Sequence, residues 1–191
     1  MGRWLLMSGA VALALGCAGE VDDGGGGGAA DAGSSGGADA DTTDYGVGEP
    51  DDLAGLTVLH NQARAEVGVG PLTWDDQLED YARAWAEQCV DNGGIAGLID
   101  HNPSTPYGEN IAGGSTLRAV EQLFAQWYDE KADYDYASGS CSGICGHYTQ
   151  IVWANSSKVG CARYDCPGLQ YRHGLVCSYD PPGNFNGQKP Y

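Results

Sequence analysis

The sequence predicts an α+β domain, helices first and strands last, behind a long acidic leader. Three stretches between Leu53 and Glu130 carry apolar residues at three- and four-residue steps, the period of amphipathic helices. A short, turn-punctuated run from Val159 to Tyr179 has the texture of a strand pair. Helices followed by strands imply helices packed on a small antiparallel sheet. The cysteines add a third observation. If Cys17 belongs to the leader, six remain, Cys89, Cys141, Cys145, Cys161, Cys166 and Cys177, and an even set in an exported domain predicts three disulfides. A zinc ribbon built on Cys141/Cys145 and Cys161/Cys166 is disfavoured, because such sites prefer tighter pairs and an export signal implies oxidation.

The first helix rests on Leu56, Leu59, His60, Ala63 and Val67 and is closed by Gly68 and Gly70. The second restarts at "PLTWDD", with Thr73 as the expected N-cap and Asp75 and Asp76 suited to the helix dipole. Leu78, Tyr81, Ala82, Trp85 and Cys89 form its apolar stripe, and Asn92-Gly93-Gly94 ends it. The passage "DHNPSTPYGENIAGG" reads as turns. A third helix fits Thr116 to Glu130, capped by Ser115, with Val120, Leu123, Phe124 and Trp127 inward. The strand pair turns at Asp165-Cys166-Pro167-Gly168.

Residues 1–17 hold one arginine and a short apolar run, too short for the ~20 residues that cross a bilayer and suited to a secretory signal. Ala14-Leu15-Gly16-Cys17 resembles a bacterial lipoprotein box, making Cys17 the candidate lipidation site and the cell envelope the expected location; the alternative is ordinary signal cleavage after Ala14 or Ala18 and secretion. Residues 18–52 are rich in Gly, Ala, Ser and Asp, have no lysine or arginine, and read as a disordered tether. They hold ten of the acids, so the net charge of −17 overstates the domain, where sixteen acids face eight lysines and arginines. Nucleic acid binding is disfavoured on that balance, since it needs a basic face. Contact with a membrane is expected only through the N-terminal anchor.

The chain has four histidines. His101 lies in "IDHN", Glu109 in "YGEN", Glu130 in "WYDE", and His147 opens "GHYTQIVWANS". Two imidazoles and two carboxylates can bind a divalent cation such as Zn2+, form a polar network, or supply acid and base groups. His60, on the apolar face of the first helix, reads as structural and His173 as exposed. Glu66, Asp75, Asp76, Glu79 and Asp80 read as a solvated helix face.

"GHYTQIVWANS" and "LVCSYDPPGNF" (residues 175–185) resemble the two signatures of the CAP superfamily, the cysteine-rich secretory, antigen 5 and pathogenesis-related 1 proteins. "LHNQARAEVGVGPLTWDDQLEDYARAWAEQC", "YGENIA" and "QWYDEKADYDY" extend the likeness over about residues 53–191, nearest the plant branch, with a departure at Gly174. The resemblance implies a three-layer α-β-α sandwich and a cleft formed by His101, Glu109, Glu130 and His147. It implies the pairs Cys89–Cys166, Cys141–Cys145 and Cys161–Cys177. Thr149 and Gln150, beside His147, can serve as cleft support through hydrogen bonds or satisfy local backbone. The resemblance also implies binding of lipids or other small apolar ligands, with divalent metal at the tetrad. A hydrolase is the alternative, with Ser140 or Ser142 nearest in sequence to His147, although no G-x-S-x-G elbow or H-E-x-x-H helix is present. A second alternative is a signalling protein that releases residues 181–191 after "CSYD".

Overall fold

The computed structural model describes residues 47–191. The signal-like segment, Cys17 and residues 18–46 of the acidic leader lie outside the described residues.

A four-stranded sheet runs in the order β1 (Thr73–Trp74), β5 (Lys158–Asp165), β6 (His173–Asp180), β2 (Gly108–Gly114). β1 pairs parallel with β5, and the other two pairings are antiparallel. Side chains alternate across the sheet and supply two cores. On one face Val159, Cys161, Leu175, Cys177 and Tyr179 pack under α1 (Leu56–Glu66), α3 (Val120–Tyr128) and α4 (Gly146–Ile151). On the other Ala162, Tyr164 and Val176 pack with Ala82 and Ala86 of α2 (Asp76–Ala86). The expected three layers follow: α2, the sheet, and the three remaining helices. A small hairpin, β3 (Tyr134–Asp135) with β4 (Ser140–Cys141), precedes α4.

All three disulfides pair as the resemblance implies: Cys89–Cys166, Cys141–Cys145 and Cys161–Cys177. The last joins residues directly opposite each other on β5 and β6.

The structure corrects several local expectations. Asp75, not Thr73, caps α2, its carboxylate accepting the amides of Gln77 and Leu78. It also pairs with Lys158. α3 starts at Val120, with Gln122 bonding back to the amide of Ala119, so Ser115 is not the cap. Glu130 falls in a 3-10 turn, Asp129–Asp133, beyond the end of α3. "GENIAGG" is the edge strand β2 rather than a run of turns, because β6 runs antiparallel beside it in continuous register from Gly108 to Gly114. His173 is half-buried beside Asp165. Glu49, from the end of the leader, accepts the amides of Gly55 and Thr57 and so caps α1.

Gly174 has a packing reason. A Cβ there would lie 2.1 Å from the Ala112 carbonyl and 2.4 Å from Cζ of Tyr164. The Tyr164 ring fills the space that a side chain at 174 would need.

Candidate functional site

The cleft is assembled from four different segments. Its two halves share one construction: a carboxylate holds a backbone amide and an imidazole Nδ1 together.

In the first half, β2 carries Glu109. Its Oε1 accepts the amide of Asn102 at 3.0 Å and lies 2.7 Å from His101 Nδ1. α2 holds the His101 loop in place. The Trp85 indole donates to the Asp100 carbonyl at 2.8 Å, and the Tyr81 hydroxyl accepts from the Asn102 side chain. Tyr81 and Trp85 are therefore half-buried supports of the site rather than members of a plain apolar stripe.

In the second half, Glu130 serves the N-terminus of α4. Helix N-termini leave amides unpaired, and Cys145 at the cap position offers no side-chain bond. Glu130 Oε2 accepts the amides of His147 (2.9 Å) and Tyr148 (3.2 Å), while Oε1 lies 2.5 Å from His147 Nδ1. One carboxylate thus caps the helix, complements its dipole and fixes the imidazole.

The two halves meet ring to ring. His101 and His147 stack at 6.3 Å between centroids, and Trp127 stacks on His147 at 6.4 Å. Both carboxylates are largely buried, with side chains 4% (Glu109) and 12% (Glu130) exposed, whereas His101 is 60% and His147 24% exposed. Each carboxylate can only accept, so Nδ1 carries the proton, and in the neutral ring Nε2 is the nitrogen with the lone pair. Among the described residues no three His, Cys, Asp or Glu side chains converge as a ready metal cage. The tetrad is instead two oriented imidazoles with carboxylates behind them.

Two cavities open beside the pair and share Ile95, Leu98, Ile111 and His147. The larger, about 400 Å³, reaches Trp127 and Arg118, and the smaller, about 190 Å³, reaches His101.

Thr149 and Gln150 bond to no tetrad side chain. The single Thr149 hydroxyl proton has Asn184 Oδ1 at 2.7 Å and the carbonyls of Cys145 and Gly146 as acceptors within reach. Gln150, fully buried, accepts the Gly183 amide and donates to Ser156. Both tie α4 to the C-terminal segment, where Lys189 further donates to the carbonyls of Tyr136 and Ala137. Asn110 is the support that the sequence reading missed. It is buried, and its amide nitrogen donates to the His147 carbonyl (3.0 Å) and the Tyr179 hydroxyl (3.1 Å). Tyr179 in turn meets His60 Nε2 at 2.8 Å. The strand character of β2 was the signal for it, because alternation sends Asn110 inward where Glu109 faces the cleft.

Ser140 and Ser142, the candidate nucleophiles, bond to Ser138 and to Asp133 in the hairpin region. Ser178, across from Glu109 in the sheet, is fully buried and closed to a substrate. No serine, threonine or cysteine side chain among the described residues bonds to His101 or His147.

The fold and this paired His–Glu cleft define the class, and sequence comparison gives its family. The chain belongs to the cysteine-rich secretory protein (CAP) family, whose profile matches residues 58–179. It is similar to pathogenesis-related protein 1 of Arabidopsis thaliana, with 45% identity over 136 residues, covering 70% of this chain and 78% of that protein. It is also similar to the basic form of pathogenesis-related protein 1 of Nicotiana tabacum, at 46% over 136 residues, covering 69% and 71%. Among solved structures, venom allergen-like protein 4 of Schistosoma mansoni shares the fold, with TM-score 0.57 and 24% identity, covering 74% of this chain and 94% of that one.

Proposed function

We propose that this chain is an extracytoplasmic binding protein, lipid-anchored at Cys17 and held out on its acidic leader. In this reading the cleft holds a divalent cation between His101 and His147, and the adjoining cavities take a small lipid or other apolar ligand. One observation carries it: two imidazoles, each pinned at Nδ1 by a buried carboxylate, line the cavities, His147 both of them and His101 the smaller.

The donor set favours zinc. A carboxylate behind a histidine fixes its tautomer and makes Nε2 the metal-binding atom. Two nitrogens leave further positions of a tetrahedral ion to water or ligand. Magnesium and calcium prefer carboxylate oxygens, and both carboxylates are already engaged by N–H groups. Bound zinc would supply a Lewis acid able to hold an oxygen of the ligand. Glu109 and Glu130 would orient the two ligating rings. Ile95, Leu98 and Ile111 would exclude water from the ligand's apolar part.

A hydrolase reading lacks a nucleophile placed against either imidazole. Calorimetric titration of zinc into wild-type protein and a His101→Ala/His147→Ala variant tests the metal half. Micromolar or tighter binding, ~8 kcal/mol or more, lost in the folded variant, supports it. Equal binding by both proteins, or none, overturns it. A fluorescent-lipid panel tests the other half, and no saturable signal for any lipid would sink it.

A further inference from the structure

Another cavity, of about 340 Å³, shares no lining residue with the two beside the tetrad. Tyr134 of β3, Trp153 beyond α4 and residues 184–188 help to line it. Acids outnumber lysines and arginines two to one over residues 53–191, yet none of the described residues lining this cavity is acidic, basic or histidine. Aromatic rings and amides take their place. Phe185 meets the Trp153 ring edge-on at 6.0 Å and is still 50% exposed. Asn186 and Gln188 are exposed too, and among the described residues their side-chain amides have no hydrogen-bond partner; the Gln188 backbone closes a turn on the Phe185 carbonyl. The segment that carries them is fixed. Asn184 takes a left-handed backbone, φ 60°, which asparagine tolerates; its side chain donates to the Gly146 carbonyl, and its Oδ1 lies 2.7 Å from the Thr149 hydroxyl. Gln150 holds the Gly183 amide, and Lys189 donates to the carbonyls of Tyr136 and Ala137.

We propose that this cavity binds an uncharged saccharide of N-acetylated hexosamine, a sugar ring packing on Phe185 and its acetamido and hydroxyl groups bonding to Asn186 and Gln188. The site is separate from the cleft and does not depend on metal or lipid there. A charged ligand would give up its hydration and find no counter-charge in this lining. A plain hydrocarbon would cover the Asn186 and Gln188 amides without replacing their bonds to water. A sugar avoids both costs. Its C–H face is apolar and suits an aromatic ring, while its rim carries groups that both donate and accept. Each side-chain amide likewise has a carbonyl and an NH2, so it can match an acetamido group in both senses. Because the segment is already ordered by its own bonds, binding loses little further chain entropy. At about 340 Å³ the cavity lies at the lower end of ligand pockets, which suits a disaccharide rather than a long glycan.

Calorimetry on the full-length protein, with diacetylchitobiose, cellobiose and the uncharged peptide N-acetyl-dialaninamide as probes, tests it. Diacetylchitobiose should bind with a millimolar or tighter dissociation constant, cellobiose more weakly, and the peptide about tenfold or more weakly than diacetylchitobiose. Phe185→Ala, and separately Asn186→Ala/Gln188→Ala, should each weaken diacetylchitobiose about tenfold. All three positions are exposed, and a 1H–15N spectrum that keeps the wild-type pattern elsewhere shows that each variant is folded. In the wild-type spectrum the side-chain amide resonances of Asn186 and Gln188 should move as diacetylchitobiose is added. No binding by wild type, or binding that both folded variants retain in full, overturns the proposal. So does a peptide that binds as tightly as diacetylchitobiose, which would make the site a peptide site. Cellobiose binding as tightly would show the acetamido contacts to be wrong.

Discussion

Acid should destabilise this protein through one buried histidine. His60 Nδ1 lies 2.8 Å from the Leu56 carbonyl, which can only accept, so Nδ1 carries the proton. Nε2 must then accept from the Tyr179 hydroxyl, also at 2.8 Å. That hydroxyl already accepts from Asn110. A second proton on His60 would confront Tyr179 with two donors and strand its own O–H. Burial, opposed by the Leu56 bond and reinforced by the Arg64 charge, lowers the His60 pKa from 6.5 to about 4. Between those values the unfolded chain takes up a proton that the folded protein refuses. Stability is therefore lost as pH falls through 6.5 toward about 4, and the loss is complete below the folded value. At ~1.4 kcal/mol per unit, the total is about 3 kcal/mol. Urea unfolding across this range, at constant ionic strength, measures it. His60→Gln keeps a donor and an acceptor but does not titrate, so its stability should fall less by that amount. Glu66 and Asp75, whose pKa values are lowered by Lys131 and Lys158 respectively, also lose stability in acid, but equally in both proteins. Parallel curves for wild type and variant would refute the assignment.

Arg64 is buried yet charged, with burial holding its guanidinium down to about 10, and it donates to the carbonyls of Gly70, Ile151, Trp153 and Ser156. Arg64→Met should cost about 3–5 kcal/mol by leaving those carbonyls without donors, read as a lower urea midpoint. Gly108→Ala places a Cβ 2.3 Å from Gln150 Oε1. Gln150 can move only by giving up Gly183 and Ser156, so a loss of about 2 kcal/mol is expected in thermal unfolding, largely relieved by Gln150→Ala in the same chain. Replacing Cys89 and Cys166 by serine opens a loop of 77 residues and should cost about 4 kcal/mol, against about 2 for Cys141 and Cys145, whose separation is 4. Equal losses would show that chain entropy is not the governing effect.

The layers were legible because burial leaves a period in the sequence. Leu56, Ala63, Leu78, Ala82, Val120, Leu123 and Trp127, all buried, stand at helical steps. The tetrad was legible through the family resemblance as a whole, since its members span 47 positions, only His147 falls in a signature, and spacing alone does not bring them together. β2 was not legible. Its glycines read as turns, and its strand character comes from β6, some 65 residues further on. With β2 missed, Asn110 was missed too. The role of Glu130 as a cap for α4 was equally invisible, because it caps a helix that starts well beyond its own turn. Thr149 and Gln150 sit beside His147 in sequence, yet helical geometry turns them to the C-terminal segment.

The central claim is that Glu109 and Glu130 fix both cleft imidazoles as Nδ1–H tautomers with Nε2 open. Long-range 1H–15N NMR of the histidine rings tests it directly, at mildly alkaline pH where a free imidazole is neutral. The expected spectrum shows His101 and His147 protonated at Nδ1, with added zinc moving the Nε2 resonances of both. Protonation at Nε2 in either ring, or zinc that leaves both Nε2 resonances in place, would contradict the account.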